Sequence, residues 1–79
     1  MAYLIPNFEL YITKNEKSGE FITLSDNSVW HIVNIADRVK TMIWIIRDKI
    51  KISQKDKIYL LTNLRNKDTI LAKYIEPKK

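Results

Sequence analysis

The chain has 79 residues with 14 basic and 9 acidic side chains, a net charge of +5, no cysteine and a single glycine. That length makes one domain rather than two, and the missing thiols exclude disulfide staples, a zinc knuckle and a cysteine nucleophile. Apolar residues make up 46%, enough for a rich core held by packing alone or by packing plus a partner chain.

The start, Met1-Ala2-Tyr3-Leu4-Ile5-Pro6, lacks the basic leader of a signal peptide. No apolar run approaches the ~18 residues of a membrane span. A cytoplasmic protein without membrane contact is expected. From there the dominant period is two. Phe8, Leu10 and Ile12 fall on one face of an N-terminal strand over Phe8–Thr13, and Asn15 to Gly19 is a polar turn cluster. Glu20 to Leu24 alternates again. Asp26-Asn27 then fits a tight hairpin into Ser28–Val33, because both residues tolerate the left-handed backbone of primed turns.

Ile35, Val39, Met42, Ile43, Ile46 and Ile50 recur at steps of three and four, the mark of an amphipathic helix with a packed stripe. Asn34 suits its N-cap, and Asp37 its first turn. Thr41 to Ile46, however, is dense in strand-favouring residues. The favoured reading is a helical turn near Asn34–Lys40 followed by an extended segment, with a full helix across 34–47, and hence an α+β fold, as the alternative. Lys49 to Ser53, Lys57 to Leu64 and Thr69 to Ile75 read as further strands, the last two joined by a turn at Asn66-Lys67. Strands spaced this closely predict an all-β fold: a five- to six-stranded, SH3-like small barrel with one short helical turn. It is expected as a single small β domain over residues 1–76, with 77–79 a disordered tail.

Leu24-Ser25-Asp26-Asn27-Ser28-Val29-Trp30, Asp37-Arg38, Trp44, Asp48 with Ile50 and Ile52, Tyr59, Leu61, Asn63 and Ala72-Lys73 together resemble a small, uncharacterised bacterial β-rich family. That family runs as Leu-Ser-Asp-Gly-Ser-x-Trp, a second Trp, Gly-Asp before an alternating strand, then Tyr-x-Leu-x-Asn. Asn27 and Arg47 stand where its pattern has glycine. The resemblance covers Phe21 to Lys73 and implies the SH3-like barrel without implying an activity.

His31 is the sole histidine. It alternates with Trp30 and Ile32, which places it on the less buried face, and there is no second His or Cys to join it as a ligand or a catalytic partner. The carboxylates fall at turns and strand ends, where Asp commonly bonds the local backbone. One glycine builds neither a phosphate-cradling loop nor a nucleophile elbow. The expectation is therefore a non-enzymatic protein, with no catalytic, metal or cofactor site and no small-molecule substrate.

Two surfaces compete for a binding role. Met42, Trp44, Ile45 and Ile46 belong to an apolar run, Met42–Ile46, too long for one buried face, which with the flanking Arg47 predicts contact with another protein or with a second copy. Against that stands coverage of both faces of a central segment. The second surface is basic: residues 1–40 carry four basic and five acidic groups (−1), and residues 41–79 ten and four (+6). Lys49, Lys51, Lys55, Lys57, Arg65, Lys67 and Lys73, with Tyr59 and Tyr74 interleaved, would suit a nucleic-acid surface. The plainer account of those lysines is a solvated face that guards a sheet edge. A third possibility, an inhibitor of a host protein carried by a phage or mobile element, fits a short, Lys- and Asn-rich chain but points to no target.

Overall fold

A computed structural model describes residues 3–77. Six strands and one helix follow in the order β1 (Leu10–Glu16), β2 (Phe21–Leu24), β3 (Val29–His31), α1 (Ile35–Thr41), β4 (Lys49–Lys55), β5 (Ile58–Asn63) and β6 (Thr69–Ile75). The strands close into a barrel in the order β1-β2-β3-β6-β5-β4, every pair antiparallel. Each half of the chain is a three-stranded meander, and β4 returns beside β1, which is Greek-key connectivity. The small all-β barrel with one short helix is thus the observed architecture.

Period two becomes burial directly. Leu10 and Ile12 of β1, Ile22 and Leu24 of β2, Trp30 of β3, Ile50 and Ile52 of β4, Tyr59 and Leu61 of β5, and Ile70 and Ala72 of β6 all point inward. A bulge between Ile12 and Lys14 shifts the β1–β2 register, bending β1 as barrel closure requires. The turns use left-handed backbone where the polar clusters stand: Lys17, Ser18 and Gly19 between β1 and β2, Asn27 between β2 and β3, Asp56 between β4 and β5, and Lys67 between β5 and β6. The seam between β1 and β4 is the thinnest part of the wall, with only Leu10↔Ile50 and Tyr11↔Lys49 paired. An open groove of about 410 Å³ lies along it, lined by Pro6, Phe8, Leu10, Ile50, Ile52 and Leu64 among others.

One end of the barrel is plugged by rings. Tyr3 meets Trp30, Tyr59 and Tyr74 at centroid separations of 5.0, 6.2 and 5.0 Å. Their polar tips are satisfied in a chain: Trp30 Nε1 donates to Ser28 Oγ (2.9 Å), Ser28 Oγ donates to Asp26 Oδ1 (2.5 Å), and the Tyr3 hydroxyl donates to Asp26 Oδ2. Burial and the Asp26 carboxylate push the Tyr3 phenol above its ordinary value. Burial works against ionised Asp26, but the hydrogen bonds from Ser28 and Tyr3 outweigh it and hold the carboxyl below its usual value. The Leu-Ser-Asp-Asn-Ser-Val-Trp run is therefore one structural device, a hairpin whose turn carboxylate fixes the indole behind it.

Three expectations need correction. Phe8 precedes β1 and is 64% exposed instead of sharing the inward face of Leu10 and Ile12. Residues 42–48 form neither an extended strand nor the end of a helix across 34–47; they turn. Helix α1 stops at Thr41 because Asn15 Nδ2 reaches across to the carbonyl oxygens of Thr41 and Trp44, both at 2.8 Å, and takes over the last turn. Trp44, moreover, is core. Its ring is 2% exposed, with Nε1 3.5 Å from Asp68 Oδ2. Of the tail expected at 77–79, Lys78 and Lys79 lie outside the described residues.

Candidate interaction surface

Helix α1 is seated on the barrel by its polar side. Asn34 caps it, its side chain accepting from Ala36 N at 2.9 Å. Asp37 Oδ2 accepts from Leu71 N at 3.2 Å, Arg38 Nε donates to Ile32 O at 2.7 Å, and Thr41 Oγ1 donates to Gly19 O at 2.7 Å. The first two are backbone groups at the point where β3 ends and leaves the edge of β6 without a strand neighbour, and the third lies in the turn between β1 and β2. Such groups need hydrogen-bond partners, not methyl groups. The helix supplies them from Asp37, Arg38 and Thr41, which share one side at 3.6 residues per turn.

The opposite side is consequently apolar and uncovered. Ile35, Val39, Met42 and Ile43 recur at helical spacing, and Ile45 and Ile46 follow in the turn. All six are at least half exposed, from 50% at Ile46 to 73% at Ile35. At on the order of 100 Å² each they expose about 600 Å² of apolar surface in all, a large amount for a monomer of this size.

The turn that carries Ile45 and Ile46 is held rigidly. Arg47 N donates to Ile12 O at 2.8 Å, and Ile12 N donates to Asp48 O at 3.0 Å. The Asp48 carboxylate accepts from Ile45 N (3.0 Å), Asn63 Nδ2 (2.8 Å), Arg65 Nε (2.8 Å) and Arg65 Nη2 (3.0 Å). Its side chain is 4% exposed. The Arg65 guanidinium, aided by the Asn63 amide and Ile45 N against the cost of burial, lowers the Asp48 carboxyl to about 2.

Of the residues singled out for a protein contact, Met42, Ile45, Ile46 and Arg47 are at the surface together, and Trp44 is buried beneath them. Helical spacing predicts Ile35, Val39 and Ile43 on a packed stripe, yet they are exposed and complete this face. Periodicity groups side chains but does not say which group is covered. The available signal was the closed inventory of inward strand residues, which leaves the sheet no apolar face for a helix to cover.

The basic candidates separate. Lys49, Lys51 and Lys55 lie on the outer face of β4 and Lys73 on that of β6, while Lys57 and Lys67 are in turns. Lys49 is 3.4 Å from Glu9. Arg65 is committed to Asp48. Tyr59 is buried, its hydroxyl donating to Tyr3 O at 3.1 Å, and Tyr74 is packed against the core, so neither ring lies among those lysines as a stacking platform. His31 is half-buried, stacked on Phe21 at 4.9 Å, with Nε2 3.1 Å from Glu20 Oε2; that carboxylate also faces Arg38 Nη2 at 3.6 Å. Among the described residues no three His, Asp or Glu side chains converge as a metal site, and no helix is long and apolar enough to cross a membrane.

Compared with known proteins, the chain matches no family model, no curated sequence and no solved structure.

Proposed function

We propose that this barrel is a non-enzymatic protein-interaction module whose binding face is the outward side of α1 together with Met42–Ile46 and the flanking Arg47. The observation that carries it is the inverted helix. A short amphipathic helix normally buries its apolar stripe, whereas here the polar side is spent on the sheet edge and the apolar side is left open. Leaving about 600 Å² of such surface in water is unfavourable by the usual area relation, and a protein partner removes that cost. The face is also pre-formed, since the Asn15, Asp48 and Thr41 bonds fix its backbone before any partner arrives.

The test is a photo-cross-linking residue at Ile43, expressed in the cell of origin, with the same probe at Lys51 on the outer face of β4 as control. Protein adducts are expected from position 43, absent from position 51, and lost when Ile35→Glu is added. No adduct at 43 refutes the assignment.

The second reading is nucleic-acid binding by Lys51, Lys55, Lys57 and Lys73, none of which is in an ion pair among the described residues. It has no aromatic platform on that face. Affinity resting on phosphate contacts alone falls steeply with salt. A gel shift on mixed DNA and RNA at low salt, abolished by Lys51→Glu with Lys55→Glu, would support it, and the absence of any shift removes it.

A further inference from the structure

Building on the α1 face as an interaction surface, we propose that its occupant is a second copy of this chain, docked in antiparallel two-fold contact centred on Val39. The spacing is symmetric about that residue, with Ile35 four positions before it and Ile43 four after. Turning a copy of α1 together with the turn at Met42-Ile43 that continues it about an axis through Val39 lays Ile35 on the partner's Ile43 and Val39 on its own counterpart. A two-fold interface requires this self-complementarity, in which one patch meets itself.

Composition and area agree. The face holds five aliphatic residues and one methionine. It has no Trp or Tyr, and its one Arg, Arg47, stands at the border, whereas buried Trp, Tyr and Arg anchors at the centre dominate the energetics of many interfaces between unlike chains. Homodimer interfaces are the more apolar class. Its about 600 Å² of apolar surface, with a polar rim added, approaches the roughly 800 Å² per partner of a standard stable interface. A domain of this size has little buried surface to spare, and association is a common remedy. The Asn34 cap holds Ala36 N, and Asn15 holds the carbonyl oxygens of Thr41 and Trp44, so these groups at the two ends of the helix keep their partners when the face is covered.

Charge supplies a sign that separates this occupant from others. Each copy carries +5. Lys40 and Arg47 border the face, and Lys17 precedes the Gly19 that abuts Met42. None of the three is in an ion pair among the described residues. Two like-charged copies repel, and added salt screens that repulsion. Self-association therefore tightens with salt, whereas an acidic protein or a nucleic acid would bind more weakly.

The experiment is sedimentation equilibrium of the full chain between about 1 μM and about 1 mM, the span of ordinary weak-to-moderate affinities, at low and high salt. A dimer is expected, stronger at high salt. Val39→Asp, at an exposed site that leaves the fold intact by circular dichroism, should weaken it ~100-fold, because two carboxylates then face each other across a drying contact. Val39→Lys alone should weaken it likewise, and mixing the two variants should restore association, since the two-fold sets position 39 against itself. A chain that stays monomeric throughout overturns the dimer, as does a dimer indifferent to Val39→Asp or a mixture that fails to re-associate. A monomer whose position-43 cross-links go to a different protein also sinks the dimer but leaves the interaction surface standing. A monomer that instead sediments with phosphatidylserine vesicles sinks it in favour of a lipid surface.

Discussion

Asp48 offers the most direct check on what fixes the candidate face, because one carboxylate ties Ile45, Asn63 and Arg65 together. The perturbation is Asp48→Asn, which keeps the shape, removes the charge and sets an amide donor against donors. The carboxyl falls from 3.8 in the unfolded chain to about 2 when folded. At about 1.4 kcal/mol per unit that shift is worth on the order of 2 kcal/mol. Arg65 is half exposed, and water screens its share, so the measured loss should be about 1–2 kcal/mol. A domain of this length has roughly 4–12 kcal/mol in all, making that loss a sizeable fraction. The sign follows from linkage: a depressed folded pKa contributes stability that is complete above the unfolded value, near pH 4, and disappears as pH falls towards 2. Urea melts of both proteins at several pH values read it out. Wild type should lose its advantage over Asp48→Asn across pH 4 to 2, the two curves converging. Parallel curves, or a difference at pH 7 below about 0.5 kcal/mol, would refute the account of Asp48 as the charged anchor of the 42–48 turn.

Gly19 seats α1: it has φ +90°, and a Cβ there would stand 2.5 Å from Thr41 Oγ1 and 2.6 Å from Met42 N. Gly19→Ala should cost about 2–4 kcal/mol from left-handed strain and overpacking, lowering the melting temperature by on the order of 10 °C or more; an unchanged melt would show that α1 does not depend on that contact. Arg47 holds φ 78° just before Asp48, so Arg47→Gly relieves about 1 kcal/mol of strain while adding a similar cost through the unfolded chain. Near-neutrality by urea melt is expected there, against a loss of about 1 kcal/mol or more for the β-branched Arg47→Val; a glycine variant that is clearly weaker would assign the Arg47 side chain a structural contact of its own.

What could be read from the residues, and what could not, divides along the question of whether a covering surface exists. In a strand whose outer side faces water, alternation names the buried side, and Ile22, Leu24, Ile50 and Ile52 are all buried where period two puts them. The same logic reached the turns at Asn27 and Lys67, because polar residues that tolerate positive φ stand there. It failed at Phe8, which lies before β1 begins, and at Trp44, where the chain turns so that one residue of an apolar run faces in and its neighbours face out.

The helix is the instructive case. Its period, N-cap and first-turn carboxylate were all legible; its orientation was not. Which side of a helix is buried depends on what the rest of the fold presents, and a barrel that has filled its own interior offers α1 unpaired peptide groups beyond the end of β3 and in the β1–β2 turn. Asp37, Arg38 and Thr41 answer those groups, and rotating Ile35, Val39 and Ile43 inward would hand the exposed Leu71 N to water and leave the more buried Ile32 O and Gly19 O without those donors, at about 1–3 kcal/mol for each buried group left unsatisfied. That combined penalty competes with the gain from burying three aliphatic side chains, about 1.5–3 kcal/mol each. In the proposed dimer a second chain would remove the conflict, because it would cover the aliphatic side while the polar side keeps its bonds.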